Sequence, residues 1–157
     1  MLSATLQMQP NPHIYPMSAE QNNLKPLVLI VENHEDSRFM LKTLLEIWGY
    51  RTAEAEDGEE SIETALSEHP NLILMDVSLS KTDGLTTMRR MREINSLGDV
   101  PIVFISGHAQ QEFRASALTL GDSDFLVKPV DFNQLEIILN KFIGKNTVNA
   151  NSGGFTI

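Results

Sequence analysis

The sequence predicts an α/β fold, a doubly wound five-stranded parallel sheet with helices on both faces. Three observations carry that prediction. Short, continuous apolar runs recur between residues 26 and 144, and their length and β-branched content suit strands buried on both faces. Segments with apolar residues at helical spacing lie between them. Polar residues stand at the end of run after run, where open α/β sheets bind their ligands.

The first strand is expected over Leu27–Val31, LVLIV. Leu41, Leu44, Leu45 and Trp48 then repeat at i, i+3, i+4 and i+7, the stripe of a helix packed on one face. Glu35 and Asp36 suit the start of that helix, where carboxylates complement the dipole. Thr52–Ala55 is a weaker strand that falls where the alternation needs one, and a less regular helical segment covers Ser61–Ser67. Leu72–Met75 is the third strand, followed by a helix over Leu85–Ile94. Ile102–Ile105 is the fourth strand, and Gln111–Leu120 the fourth helix. Phe125–Val127 gives a short fifth strand. Leu135, Ile138, Leu139 and Phe142 mark the fifth helix, which Asp131 and Gln134 open as a capping pair. Right-handed crossovers restrict such an alternation to a few strand orders.

The flanks read differently. Residues 1–25 form an irregular polar leader with several prolines, 26–144 the folded domain, and 145–157 an irregular tail, KNTVNANSGGFTI. The leader lacks the basic start and apolar core of a signal peptide, and no apolar run approaches the roughly 18–20 residues of a spanning helix. A net charge of −9 opposes a duplex-binding surface, because phosphate contacts need clustered Lys and Arg. There are no cysteines, which removes disulfides, thiolate catalysis and Cys-based metal sites and fits a cytoplasmic setting. Neither GxxxxGK[ST] nor GxGxxG occurs, which disfavours a nucleotide binder on the same fold.

Strand one runs into Glu32 and Asn33, strand three into Asp76, strand four into Ser106 and strand five into Lys128 and Pro129. At these positions VLIVENHEDSR, LILMDVSLSKTDG, PIVFISGHA and DFLVKP resemble, in order, the four signature blocks of response-regulator receiver domains. The resemblance covers residues 26 to about 144, with the family's intervals between Asp76, Ser106 and Lys128. It implies the flavodoxin-like strand order 2-1-3-4-5.

It also implies roles for individual residues. Asp76 matches the phosphoacceptor, a carboxylate that attacks phosphorus to give an acyl phosphate. Glu32 and Asn33 occupy the acidic-pair positions that, with Asp76 and the backbone carbonyl of Ser78, hold Mg²⁺ in relatives. Asn33 departs from the pattern: an amide oxygen brings no charge, so weaker Mg²⁺ affinity is expected. Ser106 matches the hydroxyl that bonds the phosphoryl group, and Lys128 the lysine that pairs with it. Phe125 matches the aromatic switch position, commonly Tyr. Gly84, after Asp83, and Pro129 are structural positions at the site, the latter following a cis bond in relatives. Ser80 replaces a common Pro. Arg89, Arg90 and Arg92 are expected on a solvated helix face, and His13, His34, His69 and His108 show no ligand spacing.

The function implied is that of a single-domain response regulator resembling the chemotaxis-type, stand-alone receivers. A histidine kinase or histidine phosphotransfer protein would supply the phosphoryl group, and a downstream protein would read the result. It would not be an enzyme beyond slow autodephosphorylation. The residues after Ile143 are too few for a DNA-binding output domain, so neither nucleic acid nor membrane is an expected partner. A homodimer through the fourth and fifth helices is left open. The rival reading, which Asn33 favours, is a pseudo-receiver that docks partners without phosphorylation.

Overall fold

The computed structural model describes residues 25–107 and 123–144. Five strands, β1 (Leu27–Val31), β2 (Arg51–Ala55), β3 (Leu72–Asp76), β4 (Ile102–Ser106) and β5 (Ser123–Val127), form one sheet in the order β2-β1-β3-β4-β5. Every neighbouring pair is parallel. The described helices are α1 (Glu35–Ile47), α2 (Gly58–Glu68), α3 (Gly84–Arg92) and α4 (Phe132–Ile143). The expected helix over 111–120, the tail and all of the leader except Lys25 lie outside the described residues.

Parallel strands covered on both faces must be apolar at every position. In β1, Val28 and Ile30 join Leu72, Leu74, Val103, Ile105 and Leu126 in a cluster that also contains Leu41 and Leu45 of α1 and Leu135, Ile138 and Leu139 of α4. Leu29 and Val31 instead join Ile73, Met75, Ile102 and Phe104, with Ile62 and Ala65 of α2 and Met88 and Met91 of α3. The two clusters are the two sides of the sheet. Among the described residues no helix is long and apolar enough to cross a membrane.

Helix boundaries follow their caps rather than their apolar stripes. α2 begins three residues ahead of the expected Ser61, because the Asp57 side chain accepts the N–H of Glu60 at 2.9 Å. Asp83 does the same for α3 through Thr86 at 2.8 Å, and Asp131 for α4 through Asn133 and Gln134. α3 ends at Arg92, short of the expected Ile94: the N–H groups of Glu93, Ile94 and Leu97 bond three residues back, to Arg90, Met91 and Ile94. α1 closes on Gly49, whose φ of 90° is open to glycine at little cost.

Candidate functional site

The register decides which side chains meet. Val31 of β1 lies opposite Met75 of β3, so Glu32 and Asp76, each one residue further on, emerge side by side on adjacent strands. By alternation both continue the series that faces α1 and α4, Val28–Ile30 and Leu72–Leu74. Lys128 continues the same side from Leu126 of β5, and its N–H donates to the carbonyl of Ser106 at 2.7 Å.

The three charged groups converge. Lys128 Nζ lies 2.6 Å from Asp76 Oδ2 and 3.3 Å from Glu32 Oε2. Both carboxylate residues are 2% exposed, a depth at which unpaired charge is costly. Backbone donors hold the remaining oxygens: the N–H of Ser78 donates to Asp76 Oδ1 at 2.7 Å and that of His34 to Glu32 Oε1 at 2.9 Å.

The two carboxylates are driven apart in acidity. Burial raises the carboxyl of Glu32, as does neighbouring Asp76, and the His34 N–H and Lys128 only partly offset this. Burial acts on Asp76 as well, but hydrogen bonds from Lys128, the Glu32 carboxyl and the Ser78 N–H hold it net below the ordinary aspartate range. Lys128 loses some basicity to burial and regains more from Asp76 and Glu32, so it ends above the usual lysine value. Asp76 is therefore ionised, and Lys128 cationic, at neutral pH.

Asn33 Oδ1 is buried and has no hydrogen-bond donor among the described residues. A buried carbonyl oxygen without a donor is disfavoured, and a cation is the partner that would satisfy it. Asn33 follows Glu32 directly in the chain, and the Glu32 and Asp76 carboxylates with an amide oxygen are the donor types that suit Mg²⁺. These residues fit the ion. Among the described residues no three His, Cys, Asp or Glu side chains gather as a metal cluster.

The other expected positions are accounted for as follows. Ser106 ends β4, buried, one residue beyond the Asp76–Ile105 pair. Phe125 is partly buried on the α2–α3 side of the sheet, in register with Phe104. The Lys128–Pro129 bond is cis. A Cβ at Gly84 would lie 2.9 Å from the carbonyl oxygen of Asp76 and 3.3 Å from the Phe104 ring, so only glycine fits against the end of β3. Arg89 and Arg90 of α3 lie on an exposed face as expected, Arg90 paired there with Glu59, whereas Arg92 is half-buried and its Nη1 donates to the carbonyls of Leu97 and Val100. His13 and His108 lie outside the described residues.

Three features were not anticipated. Arg38 donates to the carbonyl of Glu32 at 2.8 Å. Lys81, in the loop after Asp76, pairs with Asp57 at 2.7 Å and so ties that loop to α2. A groove of about 320 Å³ adjoins Glu32 and Lys128, with Met40, Pro129 and Phe132 lining it beside them.

A model of the response regulator receiver domain family matches residues 28–140. A probable transcriptional regulator of Porphyridium aerugineum, ycf27, is 34% identical over 112 residues, which are 71% of this chain and 45% of that protein. The transcriptional regulatory protein ZraR of Escherichia coli K12 is 30% identical over 114 residues, 73% of this chain and 25% of the relative. The chain thus spans less than half the length of these two relatives. Among solved structures, the receiver domain of the sensor histidine kinase PA1611 of Pseudomonas aeruginosa PAO1, with a magnesium ion coordinated in its active site cleft, matches at a TM-score of 0.70 and 30% identity. That match covers 76% of this chain and 98% of the other. The chemotaxis response regulator CheY4 of Vibrio cholerae shares the fold at a TM-score of 0.70 and 24% identity, over 76% of this chain and 99% of its own.

Proposed function

The chain belongs to the response regulator receiver domain family, and from that premise we propose that Asp76 accepts a phosphoryl group from a phosphohistidine donor and that residues 26–144 are the unit that responds. The observation that carries this is the contact of Lys128 Nζ with both Asp76 and Glu32. Such a contact leaves one ionised carboxylate at the end of the central strand, with a cation already beside it.

A carboxylate oxygen of Asp76 forms the new bond to phosphorus as the P–N bond of the donor breaks, and the electron pair leaves with the imidazole nitrogen. The lowered pKa of Asp76, held down by Lys128 and the Ser78 N–H against the effect of burial, keeps that oxygen unprotonated. Lys128, released from Asp76 Oδ2, turns to a phosphoryl oxygen, and the Ser106 hydroxyl donates to another. Phe125, in register with Phe104 two residues before Ser106, passes that movement to the outer surface. Glu32, Asn33 Oδ1, Asp76 and the Ser78 carbonyl would hold Mg²⁺, which supplies charge neutralisation when bound.

Receiver domains are signalling modules rather than metabolic enzymes, and slow loss of the phosphoryl group to water sets the lifetime of the signal in this reading. A histidine kinase or phosphotransfer protein is the donor, in the cytoplasm, and a protein is the target. The net charge of −9 supports protein over nucleic acid as the receiver's own contact. Retention of the paired Asp76, Glu32 and Lys128 supports this reading over docking without phosphorylation.

Intact-mass measurement after incubation with Mg²⁺ and acetyl phosphate tests it, with Asp76→Ala as control. A gain of one phosphoryl mass in the parent alone is expected. No gain in the folded parent favours the docking module.

A further inference from the structure

We propose that Arg38 is a positioning residue that sets the direction of the Asn33 oxygen, a role that rests on the reading of this site as a Mg²⁺-dependent phosphoacceptor. Arg38 lies in the first turn of α1, where its own N–H bonds the carbonyl of His34 at 2.9 Å. An arginine there ordinarily points to solvent. This one has a side chain only 13% exposed and turns back toward the sheet. Its Nη1 donates to the Glu32 carbonyl at 2.8 Å, its Nη2 to Glu56 Oε1 at 3.2 Å, and its Nε lies 3.4 Å from Glu54 Oε1.

Those contacts come from three places: the end of β1, the strand β2, and the turn between β2 and α2. The guanidinium is planar with donors in fixed directions, so three acceptors fix its plane. It then fixes the Glu32 carbonyl. Because the peptide unit is itself planar, the Glu32–Asn33 peptide cannot rotate without breaking that bond. Asn33 Oδ1 has no hydrogen bond of its own among the described residues to hold it. The backbone that carries it limits where that oxygen can reach, and Arg38 holds that backbone.

A purely electrostatic role gives the opposite sign. Arg38 is a cation close to a site built for a cation, so on charge alone its removal would tighten Mg²⁺ binding. A positioning role weakens it. Lysine keeps the charge but offers one point of contact in place of a rigid fork.

Calorimetric titration of Mg²⁺ into the parent, Arg38→Met and Arg38→Lys distinguishes these. Loss of such an outer partner weakens a metal about tenfold or more, and that loss is expected for Arg38→Met, with Arg38→Lys in between. The side-chain amide signal of Asn33 in metal-free protein should shift in both variants. A folded Arg38→Met that binds Mg²⁺ as tightly as the parent, or more tightly, overturns the inference. If Arg38→Met does not fold, Arg38→Lys carries the test alone: weaker Mg²⁺ binding with the charge retained supports the inference, and binding as tight as the parent overturns it. Should the parent neither bind Mg²⁺ nor take up a phosphoryl group, the reading of the site has failed. Should it do both while the variants match it, only the role of Arg38 has failed.

Discussion

Replacing Lys128 with Met keeps the length of the side chain and deletes the cation that Asp76 and Glu32 share. Removing one partner of a buried ion pair costs about 3–5 kcal/mol, because a charge is left uncompensated. Here the Lys128 side chain is 33% exposed while the carboxylate side chains are 3% and 2% exposed. Water therefore screens part of the attraction, and a loss of about 2 kcal/mol is the expected size. That corresponds to a fall of roughly 1 M in the midpoint of urea unfolding, followed by circular dichroism in the presence of a chelator.

The dependence on pH makes the test sharper. The raised basicity of Lys128 means that its contribution is complete below the ordinary lysine value and is lost only as pH rises through its folded value. The lowered pKa of Asp76 means that its contribution is complete above the ordinary aspartate value and is lost as pH falls through its folded value. Both are whole at neutral pH in the parent. Glu32 behaves in reverse. Its carboxyl is raised, so ionising it costs stability as pH rises from the ordinary glutamate range through the raised value. Without Lys128 that range extends upward. The deficit of Lys128→Met should therefore be largest at neutral pH and shrink as pH falls, as one carboxyl takes up a proton. A variant as stable as the parent at neutral pH, or a deficit that does not change with pH, would refute the reasoning.

Asn33→Asp adds a carboxylate where an amide now stands and should tighten Mg²⁺ about tenfold in calorimetry, since charge count among oxygen ligands sets affinity. The same change should lower stability in chelator, because a third anion then faces Lys128 alone. Gly84→Ala drives a Cβ to 2.9 Å from the Asp76 carbonyl oxygen and should cost about 1–3 kcal/mol in thermal or urea unfolding, with slower phosphoryl uptake. Asp131→Ala removes the acceptor for the N–H groups of Asn133 and Gln134. It should cost about 1 kcal/mol and leave Mg²⁺ affinity unchanged.

The central strands were legible because burial on both faces writes itself as an unbroken apolar run, as in LVLIV, LILM and IVFI. The edge strands were harder. β2 reads RTAEA, with four of its five residues only half-buried, and β5 reads SDFLV. An outer strand need not be apolar throughout, so the pattern that marks the centre fades there. The start of α2 was hidden inside the acidic stretch EAEDGEE, where nothing but the bond it makes distinguishes Asp57 as the cap. Asp76 and Lys128 were found through the motif resemblance; spacing alone does not bring together residues 52 apart in sequence. Arg38 was missed for a physical reason. Its acceptors are a backbone carbonyl and two glutamates on other elements, brought within reach by the pairing of Ile30 with Glu54 and Val31 with Ala55. A charged residue in a helical first turn looks solvated until that register is known.

The central claim concerns one oxygen-bearing side chain, and its chemistry allows it to be read directly. An acyl phosphate on aspartate is reduced by borohydride to homoserine, whereas phosphate esters of Ser and Thr survive. After loading with a phosphodonor and Mg²⁺, reduction and peptide mass mapping should place homoserine at position 76 and leave Glu32, Asp36 and Asp57 unchanged. Homoserine at a different aspartate, or intact Asp76 in a folded protein that has gained phosphoryl mass, would contradict the account.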